Sequence, residues 1–294
     1  MCFLYANKEL FIQLLQDSNC TLNDLQLDDV ITQYDLAKNG NEEAMLMVAR
    51  IYKEIKKYDG YLFWLQSAAA KGNTEAQYLL ANCYIDGEIM EEDYDEAFKL
   101  YQKAAENGHP DAANNLADMY FNGESVEIDE IEAIKWFTFA AEHNVTEAMF
   151  TLGMIYEQGI GVEEDEDKAF DYYLQAAELG DVEAQYRLGT IYLDGDLGKD
   201  RDVGKAISWF KKAASQYQVD SLFNLGYIYE NGIEVKRNGK LALTFYKQAS
   251  LLGDLQSKIS IARIYEKGID VKKNPEKAKK WRQRADQQMR TIEE

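Results

Sequence analysis

A tyrosine returns along this chain at a nearly fixed interval, at Tyr52, Tyr84, Tyr120, Tyr156, Tyr192, Tyr229 and Tyr265. The intervals are 32, 36, 36, 36, 37 and 36 residues. A repeat of that length restricts a chain to a stack of like supersecondary units, because one such unit cannot bury its apolar surface alone. Eight residues before each tyrosine stands a small side chain: Ala44, Ala76, Ala112, Ala148, Ala184, Ser221 and Ser257. An aliphatic follows four residues after that anchor (Val48, Leu80, Leu116, Leu152, Leu188, Leu225, Ile261), then Ala or Gly, as at Ala49, Gly153 and Gly226. Steps of 4 and 8 share one helix face, and a small fifth residue lets a second helix approach closely.

Each unit continues with a stop and a restart. Glycine follows the tyrosine by three residues at Gly87, Gly123, Gly159, Gly195, Gly232 and Gly268. It tolerates the left-handed backbone that ends a helix. After a short loop come Asp93, Asp129, Asp165, Asp202, Asn238 and Asn274, whose side chains suit the N-cap of a second helix. That helix carries alanine four residues later (Ala97, Ala133, Ala169, Ala206, Ala242, Ala278) and an aromatic one turn on, read as Tyr101, Trp136, Tyr172, Trp209, Phe245 and Trp281. Gly72, Gly108, Gly180 and Gly253 close it, with Asn144 and Tyr217 at the matching positions of two units. The expected fold is all-α, an α-α solenoid of helical hairpins. Its units span 40–73, 74–109, 110–145, 146–181, 182–218, 219–254 and 255–286. The first is four residues short and lacks the glycine loop. Residues 1–39 are expected to form a degenerate capping hairpin, with Phe11, Leu14 and Leu15 on one helix and Val30, Ile31, Tyr34 and Ala37 on the other. Residues 287–294 are taken as a tail.

The run Ala148, Leu152, Gly153, Tyr156, Gly159, Gly161, Val162, Asp165, Lys168, Ala169, Ala176, Ala177 and Gly180 resembles the Sel1-like repeat, a relative of the tetratricopeptide repeat. The resemblance covers about residues 40–286. It implies a right-handed superhelix and a role in holding other proteins. Bacterial members of that family act as adaptors, host-interaction factors or immunity proteins that neutralise secreted toxins.

Composition narrows the partner. The net charge is −20, which disfavours nucleic acid, whose phosphates attract Lys and Arg. Residues 1–235 carry 17 basic and 45 acidic side chains, a balance of −28 that suits a basic protein or serves solubility. Residues 236–294 carry 15 against 7, a balance of +8, read as a solvated basic end or as one pole of a steering dipole. Three scattered cysteines (Cys2, Cys20, Cys83) suggest reduced thiols and a cytoplasmic setting. The start carries no secretory signal pattern, and no run of about 18 apolar residues could cross a membrane.

Chemistry is sparse. His109 and His143 fall in turns between units, and the cysteines lack zinc spacing. Ser208-Trp209-Phe210-Lys211 fits the Ser-x-x-Lys pattern of penicillin-recognising enzymes, an activity once linked to some members of the resembling family. It keeps the repeat phase inside a helix, and no Lys-Thr-Gly partner exists. The segment 198–205 fails as a phosphate loop, and the acidic runs 91–93 and 163–167 lack calcium-ligand spacing. The chain is therefore expected to be no enzyme, with a hydrolase as the distant alternative, and to need no cofactor or metal.

Specificity should lie where units differ. If the first helices line the inner, concave surface, steps three and six after the anchor face a partner. The candidate binding residues among them are Arg50, Asn82, Asn115, Asp118, Met154, Arg187, Asn224, Tyr227 and Arg263. Met47, Leu79, Thr151, Thr190 and Ser260 share those steps. The mixture suits a protein surface with a few anchors, and several residues would equally serve to cover a neighbouring helix. The expectation is a monomeric protein-binding scaffold with no membrane insertion. It is an immunity-type toxin inhibitor or an adaptor, and a self-assembling structural protein is the further alternative.

Overall fold

A computed structural model describes residues 7–18 and 24–293. Among them are sixteen α-helices and no strand, so the chain is an all-α repeat solenoid. Its helices fall into two compact units, residues 1–145 and 146–294.

The first unit holds α1 (Lys8–Asp17), α2 (Asp24–Lys38), α3 (Glu42–Glu54), α4 (Tyr58–Lys71), α5 (Thr74–Asp86), α6 (Tyr94–Glu106), α7 (Pro110–Asn122) and α8 (Glu130–Glu142). The second holds α9 (Thr146–Gln158), α10 (Glu166–Glu178), α11 (Val182–Asp194), α12 (Val203–Ser215), α13 (Val219–Asn231), α14 (Gly239–Leu251), α15 (Leu255–Lys267) and α16 (Pro275–Glu293). In each, a first helix packs most extensively on the second helix of its own hairpin, and that second helix packs on the next first helix. The segment 287–293, expected as a tail, is the continuation of α16.

Capping chemistry sets the starts. Asp93, Asp129, Asp165, Asp202, Asn238 and Asn274 each accept a backbone N–H from the first turn of their second helix. A side-chain cap of this kind contributes about 1 kcal/mol. First helices are capped by Asn41, Asn73, Asp181, Gln218 and Asp254, and α7 by the Nδ1 of His109. His109 is thus a cap that also stacks on Tyr78, with ring centroids 4.6 Å apart. At the stops, Asn144 and Tyr217 adopt the left-handed backbone that Gly72, Gly108, Gly180 and Gly253 take at the same position, with φ of +67° and +66°.

The core lies between paired helices. Anchors Ala44, Ala76, Ala112, Ala148, Ala184, Ser221 and Ser257 are all buried. The small fifth step has a steric reason: a Cβ on Gly153 would sit 2.6 Å from Tyr173, on Gly189 2.4 Å from Phe210, and on Gly226 2.6 Å from Tyr246. These rings correct the sequence reading by one residue. Tyr101, Phe137, Tyr173, Phe210 and Tyr246, four positions after the second-helix alanine, are the buried rings. Trp136, Tyr172, Trp209, Phe245 and Trp281 sit one position earlier and are only half-buried. The residue type signalled an aromatic at either position, but only the later one faces the small fifth-step residue, glycine opposite Tyr173, Phe210 and Tyr246.

At the N-terminal end Phe11 and Leu15 of α1 and Tyr34 and Ala37 of α2 are buried. Phe11 stacks on Tyr34 at 4.7 Å and lies 5.2 Å from Tyr52. Cys83 is buried with its Sγ 3.8 Å from the Tyr61 hydroxyl, whereas Cys2 and Cys20 lie outside the described residues.

Candidate functional site

Within each unit the varying positions of the first helices lie beside one another, and most of their polar side chains are engaged with the neighbouring repeat. In the first unit, Arg50 of α3 pairs with Glu75 of α5 at 2.7 Å, and the other Glu75 oxygen is 3.1 Å from His109 Nε2. The Tyr101 hydroxyl, arriving from α6, donates to Asn82 Oδ1 at 2.6 Å, and Asn115 of α7 lies beside it. Asn114, itself buried, donates to Asn115 and to Asp118. Asn82, Asn115 and Asp118 therefore form one amide-rich patch around a tyrosine hydroxyl.

The second unit repeats this plan with charge. The Tyr173 hydroxyl of α10 donates to Glu157 Oε2 at 2.6 Å. Arg187 of α11 pairs with Glu157 and, at 2.8 Å, with Asp196, while its guanidinium lies 5.9 Å from the Tyr173 ring centroid. The Arg187 bond and the Leu197 N–H hold the Asp196 carboxyl below the usual carboxylate range. Two helices on, the Tyr246 hydroxyl donates to Glu230 Oε2 at 2.9 Å. Arg263 of α15 grips the same carboxylate through Nε at 2.9 Å and Nη2 at 2.7 Å. Burial, reinforced by the adjacent carboxylates, pushes the Tyr173 and Tyr246 hydroxyls well above the ordinary tyrosine range. Between these clusters Asn224 of α13 lies beside the Tyr186 side chain of α11, whose hydroxyl burial pushes up.

Glu157 and Glu230, which the sequence reading missed, stand nine residues after the anchor. A signal was present. Where the buried ring is Tyr173 or Tyr246, step nine is Glu; where it is Phe137 or Phe210, step nine is Phe121 or Leu193. Phe121 meets Phe137 edge-on, and Leu193 packs in the Phe210 cluster. In the last hairpin Arg282 replaces the ring and pairs with Glu266, again at step nine. A buried hydroxyl demands an acceptor and a ring edge apolar contact; Tyr101, whose hairpin has Ile85 at step nine, meets that demand with Asn82 at step six instead.

Of the candidates, Arg50, Asn82, Asn115, Asp118, Arg187, Asn224 and Arg263 join neighbouring hairpins or secure their partners. Tyr227 is different: it is 44% exposed, and Met47, on the same face of the first unit, is 47% exposed. Met154 is half-buried. Among the described residues no group of three or more His, Cys, Asp or Glu is placed to hold a metal ion, and no helix is long and apolar enough to cross a membrane.

The model of the Sel1 repeat matches residues 62–73, 74–109, 110–145, 146–181, 182–217, 219–254 and 256–285. No curated protein sequence matches. Among solved structures, c5321, a protective antigen present in uropathogenic Escherichia coli strains and displaying an SLR fold, is similar with a TM-score of 0.84 and 30% identity. The match covers 88% of this chain and 56% of that one, so this chain spans little more than half of the E. coli protein. A Sel1 repeat protein from Oxalobacter formigenes is similar with a TM-score of 0.72 and 31% identity, over 82% of this chain and 99% of that one.

Proposed function

This chain belongs to the Sel1 repeat family, and we propose that it is a non-enzymatic scaffold that binds a partner protein on its first-helix face. One observation carries the reading. The polar side chains of that face are held by bonds between hairpins, while Met47 and Tyr227, which no repeat rule requires, remain exposed. A face fixed in this way loses little side-chain entropy on binding, and a few exposed large side chains are the usual anchors of a protein interface. The site positions expected from the sequence divide accordingly: Met47 and Tyr227 contact the partner, and the arginines and amides set the surface they stand on.

The partner is a basic protein. The −28 balance of residues 1–235 favours such a partner and would speed its capture. The finer reading is an immunity-type inhibitor that sequesters a basic secreted toxin, acting as a cytoplasmic monomer. An adaptor that presents its partner to another protein is the alternative. The test is capture with the tagged full chain from its native source at about 0.05 M and about 0.5 M salt, where screening differs severalfold. The account expects a basic polypeptide whose yield falls with salt. Recovery of none, or of one indifferent to salt, overturns it.

A further inference from the structure

Stops between hairpins are polar or glycine in the first unit, at Lys71-Gly72, Asn107-Gly108 and His143-Asn144. In the second unit the same edge is apolar. Leu179 is 53% exposed, Tyr217 74%, Leu251 86% and Leu252 44%. Tyr217, Leu251 and Leu252, with Ala214, Leu222 and Gln248, line a depression of about 280 Å³ between the ends of α12 and α14. Leu251 also borders a second depression of about 400 Å³, whose other walls include Lys258, Trp281 and Arg284. The two depressions lie on either side of Leu251, and the first of them forms a groove between Tyr217 and Leu251.

Two further facts set this groove apart from leftover surface. The first is the backbone of Tyr217. It holds φ at +66°, a region that penalises any residue with a Cβ, at a position filled in other hairpins by Gly72, Gly108, Gly180 and Gly253 and by Asn144, an amide, the side-chain type that best tolerates the region. A side chain built at those glycines meets nothing within 4 Å, so packing does not require one there. A large ring is thus held in a costly conformation and pointed into open space at the rim of the groove, as is common where strain serves a ligand. The second is charge. The last two turns of the helices that flank the groove carry Lys211, Lys212 and Lys247 and no carboxylate, whereas Lys205 and Lys240 stand at the far ends of those helices. Lys211 and Lys247 each stand one turn before the residue that lines the groove on their helix, Ser215 and Leu251. Lys258 and Arg284 continue the basic rim. The acids near it are Asp220, which accepts from Gln218, Asp254, which caps α15, and Glu178 and Asp286 toward the two ends of the edge.

We propose that this turn edge of the second unit is a second docking surface, which takes an acidic polypeptide segment bearing a large apolar side chain. The apolar residue fills the depression between Tyr217 and Leu251, and flanking carboxylates meet the lysines of α12 and α14. The chemistry is opposite in sign to that of the first-helix partner, so the two sites would hold different proteins.

The test uses fluorescence anisotropy with the full chain and a labelled synthetic dodecapeptide rich in Glu and Asp with two central leucines. Control peptides replace the leucines with alanine, or the acids with lysine. Tyr217→Gly removes the ring while relieving the backbone, so a loss of binding in that variant cannot be laid to misfolding. The account expects Tyr217→Gly and Leu251→Glu each to weaken binding by about tenfold, the scale of one interface hot spot. It also expects weakening as salt rises from about 0.05 M to about 0.3 M, and weaker binding of both control peptides. No binding by the wild-type chain, equal binding by the variants, or equal binding of the lysine peptide overturns the proposal. So does a doubling of mass with concentration in light scattering that Leu251→Glu abolishes, since the edge would then be a contact between copies of this chain.

Discussion

The Tyr246 hydroxyl donates to the Glu230 carboxylate at 2.9 Å, at a place where only 4% of Glu230 meets solvent. That bond ties the second helix of one hairpin to the end of its first, and Arg263 then binds the same carboxylate from the next hairpin. Tyr246→Phe should destabilise the chain by about 1 kcal/mol, and Arg263→Ala by roughly 1.5–3 kcal/mol because it leaves a buried carboxylate short of donors. The double change Tyr246→Phe with Glu230→Leu should recover part of the loss made by either alone, since it recreates the Phe210–Leu193 pair the fold already uses. Urea unfolding of the singles and the double, read as a mutant cycle, checks the coupling.

Glycine at the fifth step should resist the change that helix propensity favours. Gly189→Ala gains about 1 kcal/mol of propensity, but its Cβ would lie 2.4 Å from Phe210. Overpacking of that kind costs about 1–3 kcal/mol. A net loss in thermal or urea stability is expected, and a stabilised variant would show that the paired helices are not in close contact there.

Tyr217→Gly should behave in the opposite way. Removing a side chain from the left-handed region relieves about 1–2 kcal/mol, offset in part by the greater entropy of glycine in the unfolded chain. Unfolding measurements should find the variant at least as stable as the natural chain.

Alkali should unfold the protein through its buried hydroxyls. Burial pushes the Tyr34 hydroxyl up to about 12 and moves Tyr61, Tyr101, Tyr173 and Tyr246 higher still. The unfolded chain ionises these groups near pH 10 while the folded one keeps them protonated, so the stability they support is intact below about pH 10 and falls as pH rises above it. Helical circular dichroism and tyrosinate absorbance should change together there. A smooth titration with unchanged helix content would contradict these burials.

Much of this architecture was legible in the residues. Asp93, Asp129, Asp165, Asp202 and Asn238 cap because a carboxylate or amide before an apolar-periodic run has few other uses. Gly87 and its counterparts take positive φ for the same local reason. What depended on three dimensions was harder to see. Adjacent aromatics such as Trp209 and Phe210 compete for one slot, and only the facing Gly189 chooses between them. The polar links of the first-helix face were hidden because Glu157 and Glu230 follow the tyrosine that marks the repeat, and because their partners lie 16 residues away on the second helix and about 30 away on the next hairpin. Arg187 and Arg263 looked like free anchors until those acids were placed beside them.

Site-specific photocrosslinking in the native source shows whether a protein partner sits on the first-helix face. A photoreactive residue at Met47 or Tyr227 reports on that face, and one at the exposed second-helix position Glu178 serves as the control. Met47 and Tyr227 should crosslink to the same polypeptide, with a yield that falls at high salt, and Glu178 should not capture it. Crosslinking from Glu178 alone, or no polypeptide captured at Met47 and Tyr227, would contradict a partner on that face.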